Sequence, residues 1–175
     1  MLNSSPVNQI AIENLLGKSI GDAEKLFKTD FRIFSHDIEK VYFSDFPESR
    51  ELYDTPYNSI LLHLDESNNI DVITIHFTKY VDDSFYNSIT SQYGDPTRIL
   101  AIKSKDKIDE VIAYSDAGEE TRSITESRLT MKEVTLKENP LFIYWIKENF
   151  NIKILNKKGF LSTSDLTFRL PTEEF

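Results

Sequence analysis

The 175-residue chain contains no cysteine, and that absence removes disulfides, thiolate metal sites, iron–sulfur clusters and cysteine nucleophiles together. Glycine is scarce as well, at 5 residues, and none falls in a G-x-G-x-x-G or G-x-x-x-x-G-K-[ST] string. No phosphate-cradling loop is therefore readable. No serine stands in a G-x-S-x-G elbow either. The longest apolar run, Leu141–Ile146, is far shorter than the roughly 18 residues a membrane span needs. The opening Met1–Gln9 is polar and lacks the basic and apolar regions of a signal peptide. A cytoplasmic protein is expected, or an exported one if a leader precedes these residues.

Basic residues are the next shortage, and it is local. The first 100 residues hold 16 acids against 8 bases, whereas the last 75 hold 13 against 12. Nearly all of the formal charge of -9 thus lies in the N-terminal part. Such a surface repels nucleic-acid backbones and anionic membranes and attracts basic proteins or cations. The expected partner is a basic protein, such as a toxin or an enzyme, with no nucleic acid, no membrane and no cofactor.

What is present is ordinary globular material: 39% apolar, 12% aromatic and 28% charged residues. A domain of this length buries roughly 70% of its unfolded surface without a staple. The reading is a single α+β domain over residues 1–175, mainly antiparallel sheet with two or three helices packed on one face. A polar tail covers 1–8, and the polar stretch Ser115–Arg128 reads as a mobile loop or protruding hairpin.

Two or three helices are predicted. Asp82 or Asp83 caps one whose Phe85, Ile89 and Tyr93 recur every four residues until Gly94 and Pro96 end it. Ser19-Ile20-Gly21-Asp22 has capping-box spacing, with Ala23, Leu26 and Phe27 as its core face. A short helix is expected within Asn8–Leu16. Strands are predicted at Phe31–Phe34, Lys40–Phe43, Arg98–Lys103, Glu110–Tyr114, Thr130–Leu136, Leu141–Lys147, Asn151–Asn156 and Asp165–Leu170. The clearest strand signal is Tyr57–Thr78, where Ile60, Leu62 and Leu64 alternate, then Ile73, Ile75 and Phe77. A two-residue Asn68-Asn69 turn between them pairs Leu64 with Ile73, Leu62 with Ile75 and Ile60 with Phe77.

Few groups offer chemistry. On the opposite face of that hairpin, His63, Asp65 and His76 could hold a divalent metal or act as acid and base. Equally, they could be polar side chains on a half-exposed sheet. His36 has no visible partner. Asp65–Asp71 is rich in oxygen ligands but lacks the glycine and final glutamate of a calcium loop. The pairs Asp82-Asp83, Glu119-Glu120 and Glu173-Glu174 read as solvated charge. Lys103, Lys105 and Lys107 make a positive stripe that Asp106, Asp109 and Glu110 neutralise.

The segment Asp37–Asp54 carries the functional expectation. Six acids face two bases there, interleaved with aromatics. Tyr42, Asp45, Phe46, Glu48, Glu51, Tyr53 and Asp54 form a candidate surface on which carboxylates steer a basic partner and aromatics anchor it. The competing reading has the aromatics capping the core while the acids face water.

The strings Leu16-Gly17-Lys18-Ser19-Ile20-Gly21-Asp22 and Tyr93-Gly94-Asp95-Pro96, followed by a strand bearing Trp145, carry a resemblance. Their order along residues 12–170 is similar to small α+β domains of the beta-lactamase-inhibitor-protein and outer-membrane-assembly lipoprotein (SmpA/OmlA) group. The resemblance implies helices packed on an antiparallel sheet and a function in protein binding. It transfers no functional residue and no membrane anchor.

Together these readings give a non-catalytic protein-binding module, a small acidic bacterial inhibitor of the immunity type that neutralises a basic partner. The alternative is a small metal-dependent enzyme or ligand carrier using the open sheet face around His63, Asp65 and His76.

Overall fold

A computed structural model describes residues 11–35, 40–114, 120–157 and 162–171, with the side chains of 35 and 109–126 excepted. The polar tail 1–8, His36, Asp37, Glu39, Glu119 and the Glu173-Glu174 pair lie outside these residues. Among them are nine strands, β1 (Arg32–Ser35), β2 (Lys40–Leu52), β3 (Thr55–Leu64), β4 (Ile70–Phe77), β5 (Arg98–Tyr114), β6 (Glu120–Glu133), β7 (Phe142–Ile146), β8 (Asn151–Lys157) and β9 (Thr163–Arg169). Two α-helices accompany them, α1 (Ile20–Phe27) and α2 (Asp83–Tyr93), with 3₁₀ turns at Ile12–Leu15 and Leu136–Glu138.

The expected helix-packed α+β fold is corrected to one dominated by antiparallel sheet. Its α-helices are 8 and 11 residues long, whereas β2, β5 and β6 reach 13, 17 and 14. The strands outrun their apolar patches. The β5–β6 ladder carries both strands through charged stretches such as Lys103–Lys107, which holds no apolar side chain. Residues 120–128, read from the sequence as part of a mobile loop or a protruding hairpin, belong to β6 and pair with β5.

The chain divides into two compact units. One, Ile99–Leu141, is essentially the β5–β6 hairpin closed by the 3₁₀ turn. There Leu141 N–H donates to the Leu100 carbonyl at 2.8 Å. The other, residues 1–98 and 142–175, holds seven strands in the order β1-β2-β3-β4-β9-β8-β7, each pair antiparallel.

In the larger unit, period-two alternation puts Ile60 and Leu62, Ile73 and Ile75, Leu166 and Phe168, Ile152 and Ile154, and Ile143 and Trp145 on one buried face. Both α-helices contribute to that core. Helix α1 buries Ala23 and Phe27; α2 buries Phe85, Tyr86, Ile89 and Tyr93. Phe85 packs edge-on against Phe77 of β4 at 5.2 Å between centroids, a geometry aromatic quadrupoles favour. Asp82 caps α2 by accepting the Phe85 N–H at 3.2 Å. At the far end the indole of Trp145 donates to the Gly94 carbonyl at 2.8 Å.

The central hairpin keeps its buried face but not the expected register. Ile60 pairs with Ile75 and Leu62 with Ile73, a slip of two residues that leaves these four side chains on their own side. The cause is the turn. Asn68 N–H donates to the Asp65 carbonyl at 3.0 Å, Asn69 N–H to Asp65 Oδ1 at 2.9 Å, and Asn68 alone of the two asparagines takes a positive φ of 65°. The loop is longer than two residues and Asp65 organises it. The two-residue turn with both φ positive occurs one hairpin earlier, at Tyr53 (51°) and Asp54 (57°), between paired Leu52 and Thr55.

Candidate functional site

The sheet face opposite the helices is polar and forms cross-strand rows. One row runs Val41, His63, Val72, Arg169, Asn151. The next runs Phe43, Leu61, Thr74, Thr167, Lys153 and Tyr144. A third runs Asp45, Ser59, His76, Asp165, Leu155 and Phe142.

Between the first two rows lies a hollow of about 330 Å³, walled by Leu64 and Val72 and lined by His63, Asp71, Thr74, Asn151, Lys153, Thr167 and Arg169. Thr74 and Thr167 hydroxyls meet across the β4–β9 pair at 3.2 Å. Asp71 reaches this face because the register shifts between the His63↔Val72 and Leu64↔Ile70 pairs, leaving it as an extra residue on β4. Asn151 is 4% exposed. Its Oδ1, and Oδ1 of Asp71, are buried without a hydrogen-bond partner among the described residues.

The third row contains a charged cluster. His76 Nδ1 lies 2.8 Å from Asp165 Oδ1, and Lys157 also pairs with Asp165. Burial alone would raise the Asp165 carboxyl. The His76 hydrogen bond and the Lys157 ammonium outweigh it and hold the carboxyl below its usual value.

The structure separates the proposed metal ligands. His63 faces Val72, and His76 stands four positions further along β4, which is roughly 13 Å of strand. Asp65 is committed to its turn by the hydrogen bond from Asn69 N–H. Among the described residues no group of three or more His, Asp or Glu is placed to hold a metal.

The acidic segment divides by side-chain type. Asp45, Glu48, Glu51 and Asp54 are exposed, and none forms an ion pair among the described residues. Phe46 and Tyr53 are buried, at 6% exposure each, and Tyr42 is half-buried. The Phe46 ring packs edge-on against Tyr57, and Tyr53 against Phe85. The segment's bases are turned away from the acids. The Arg50 guanidinium lies 3.8 Å over the Phe46 ring and donates to the Phe27 carbonyl, and Lys40 donates to Asn68. Asp54 accepts from Ser84 and Ser88, at 3.3 and 3.0 Å, which sets the hairpin tip beside the first turns of α2. The carboxylates, not the aromatics, are what this hairpin shows to solvent.

Sequence reasoning named His63, took Asp71 only as the end of the oxygen-rich Asp65–Asp71 string, and missed Asn151, Lys153, Thr167 and Arg169. A partial signal existed, since Asn151 and Lys153, and Thr167 and Arg169, alternate with apolar residues in strands that were predicted. Nothing in the alternation says that β9 lies between β4 and β8. No family model, curated protein or solved structure matches the chain. No helix among the described residues is long and apolar enough to cross a membrane.

Proposed function

We propose that this protein is a non-catalytic protein-binding module, a small acidic inhibitor of the immunity type that docks on a basic partner through the β2–β3 hairpin. One observation carries the reading. Asp45, Glu48, Glu51 and Asp54 are exposed and outside any ion pair among the described residues, while Arg50 is folded back onto Phe46 and Phe27. Carboxylates left unneutralised in a chain of net charge -9 steer a cationic surface toward this edge and bias its orientation.

The anchoring expected of Phe46 and Tyr53 gives way to their packing, so the docking rests on charge and on the half-buried Tyr42. Binding of this kind weakens steeply with salt. The test is a pull-down from native lysate at low and physiological ionic strength, using the chain and an Asp45→Lys, Glu48→Lys, Glu51→Lys variant. A basic protein retained by the first and released by both the variant and salt supports the reading. Recovery of no basic protein, or equal recovery by both chains, refutes it.

A further inference from the structure

Two buried oxygens on the polar sheet face have no hydrogen-bond partner among the described residues: Oδ1 of Asn151 and Oδ1 of Asp71. Native proteins rarely leave such groups orphaned, because burying an acceptor without a donor costs its full desolvation. Both residues line one hollow, and Asn151 is more than nine-tenths buried. Lys153 and Arg169 line the same hollow, and their side chains have no hydrogen-bond or ion-pair partner among the described residues. Acceptors without donors and donors without acceptors therefore share one concavity and do not pair with each other.

A simple anion would satisfy Lys153 and Arg169 but would be repelled by the Asp71 carboxylate and leave two acceptors empty. A simple cation has the opposite fault. A molecule carrying both charges a few ångströms apart answers both needs. The volume, about 330 Å³, is at the small end of ligand pockets and suits a compact guest. We propose that this hollow binds a small zwitterion of α-amino-acid chemistry. Its carboxylate lies on Arg169 and Lys153, and its ammonium donates to the Asp71 and Asn151 oxygens. The Thr74–Thr167 hydroxyl pair forms the floor and Val72 an apolar wall for the side chain. The assignment is independent of docking through β2, because none of the hairpin carboxylates lines the hollow.

Calorimetric titration of the full chain tests it, with the twenty L-amino acids as probes and acetate, methylammonium and inorganic phosphate as single-charge controls. At least one amino acid should bind once per chain below about 10 mM, and each control at least about tenfold more weakly. Arg169→Gln and Lys153→Gln should each weaken that amino acid by about tenfold or more, and Asp71→Asn likewise, with the far-UV spectrum unchanged. The arginine and lysine variants keep the test informative if Asp71→Asn fails to fold. Absence of any amino-acid binding up to about 10 mM, equal binding of a control, or full affinity in Arg169→Gln and Lys153→Gln would each overturn the proposal. Charge reversal at Asp45, Glu48 and Glu51 should leave the amino-acid affinity unchanged while abolishing capture of a basic protein.

Discussion

His76 and Asp165 face each other directly in the β4–β9 register, with Nδ1 2.8 Å from Oδ1 and the Lys157 ammonium on the other carboxylate oxygen. The pair explains why a buried carboxyl remains ionised on a sheet face: two donors offset its lost hydration. Asp165→Asn should cost about 1–3 kcal/mol at neutral pH. The folded-state pKa of Asp165 lies below its unfolded value, so this contribution is present above about pH 4 and is lost as pH falls through the folded value. Denaturant melts of both proteins should show the stability gap narrowing between neutral pH and about pH 3. A gap of constant size would show that the carboxylate charge is not what stabilises the cluster.

The tyrosines of the buried face behave in the opposite sense. Burial pushes the Tyr53 phenol up to about 12, against the hydrogen bond with Tyr93, which lowers it. Burial likewise pushes Tyr86 up to about 12, against its hydrogen bond with Asn156. A raised phenol means that the neutral form is favoured by folding. The associated stability is full below about pH 10, the unfolded value, and is lost as pH rises toward 12. Tyr53→Phe and Tyr86→Phe should each lose stability less steeply above about pH 10 than the parent, although Tyr86→Phe costs about 1 kcal/mol at neutral pH by removing the hydroxyl that accepts from Asn156 Nδ2. Parallel alkaline unfolding curves for parent and variants would contradict this account.

How far the sequence speaks is clearest in particular elements. Helix α2 was legible because its signals are local: a capping aspartate, a four-residue apolar period and Gly94 at the end. The buried sides of β3 and β4 were legible for the same reason, since alternation survives a slip of two residues. The register itself was not, because it depended on Asp65 bonding to Asn69 N–H, a side-chain choice that Asn68-Asn69 does not announce. Strand β2 runs to Leu52, well past the predicted end at Phe43. The chain shifts register between Asp45 and Arg50, and Pro47 falls in that interruption, where no ladder donor is needed. The polar hollow was the least legible part, being assembled from strands about eighty residues apart.

The core gives a direct check on the helix–sheet contact. Phe85 is fully buried and touches Tyr53, Phe77 and Tyr86. Phe85→Ala removes a ring that links α2 to β4 and to the β2–β3 turn and should cost about 3–5 kcal/mol. Phe46→Ala should cost less, because its ring is sandwiched between Tyr57 and the long side chain of Arg50 and can be partly replaced by that side chain. Equal losses for the two variants, measured by urea denaturation, would argue against the ranking.

Lys28 ends α1 in the left-handed region, at φ 50°, and its side chain is exposed. A residue with a Cβ is disfavoured there, whereas glycine is the common choice after a helix. Lys28→Gly should therefore raise stability by about 0.5–1 kcal/mol, even though it removes a charge from an acidic chain. Asn68 has a similar φ of 65°, but asparagine tolerates that conformation and its side chain receives Lys40. Asn68→Gly should for that reason gain less than Lys28→Gly, or lose slightly. A destabilised Lys28→Gly would mean that the Lys28 side chain makes a contribution larger than the backbone strain it imposes, and thermal melts of the two variants side by side separate these cases.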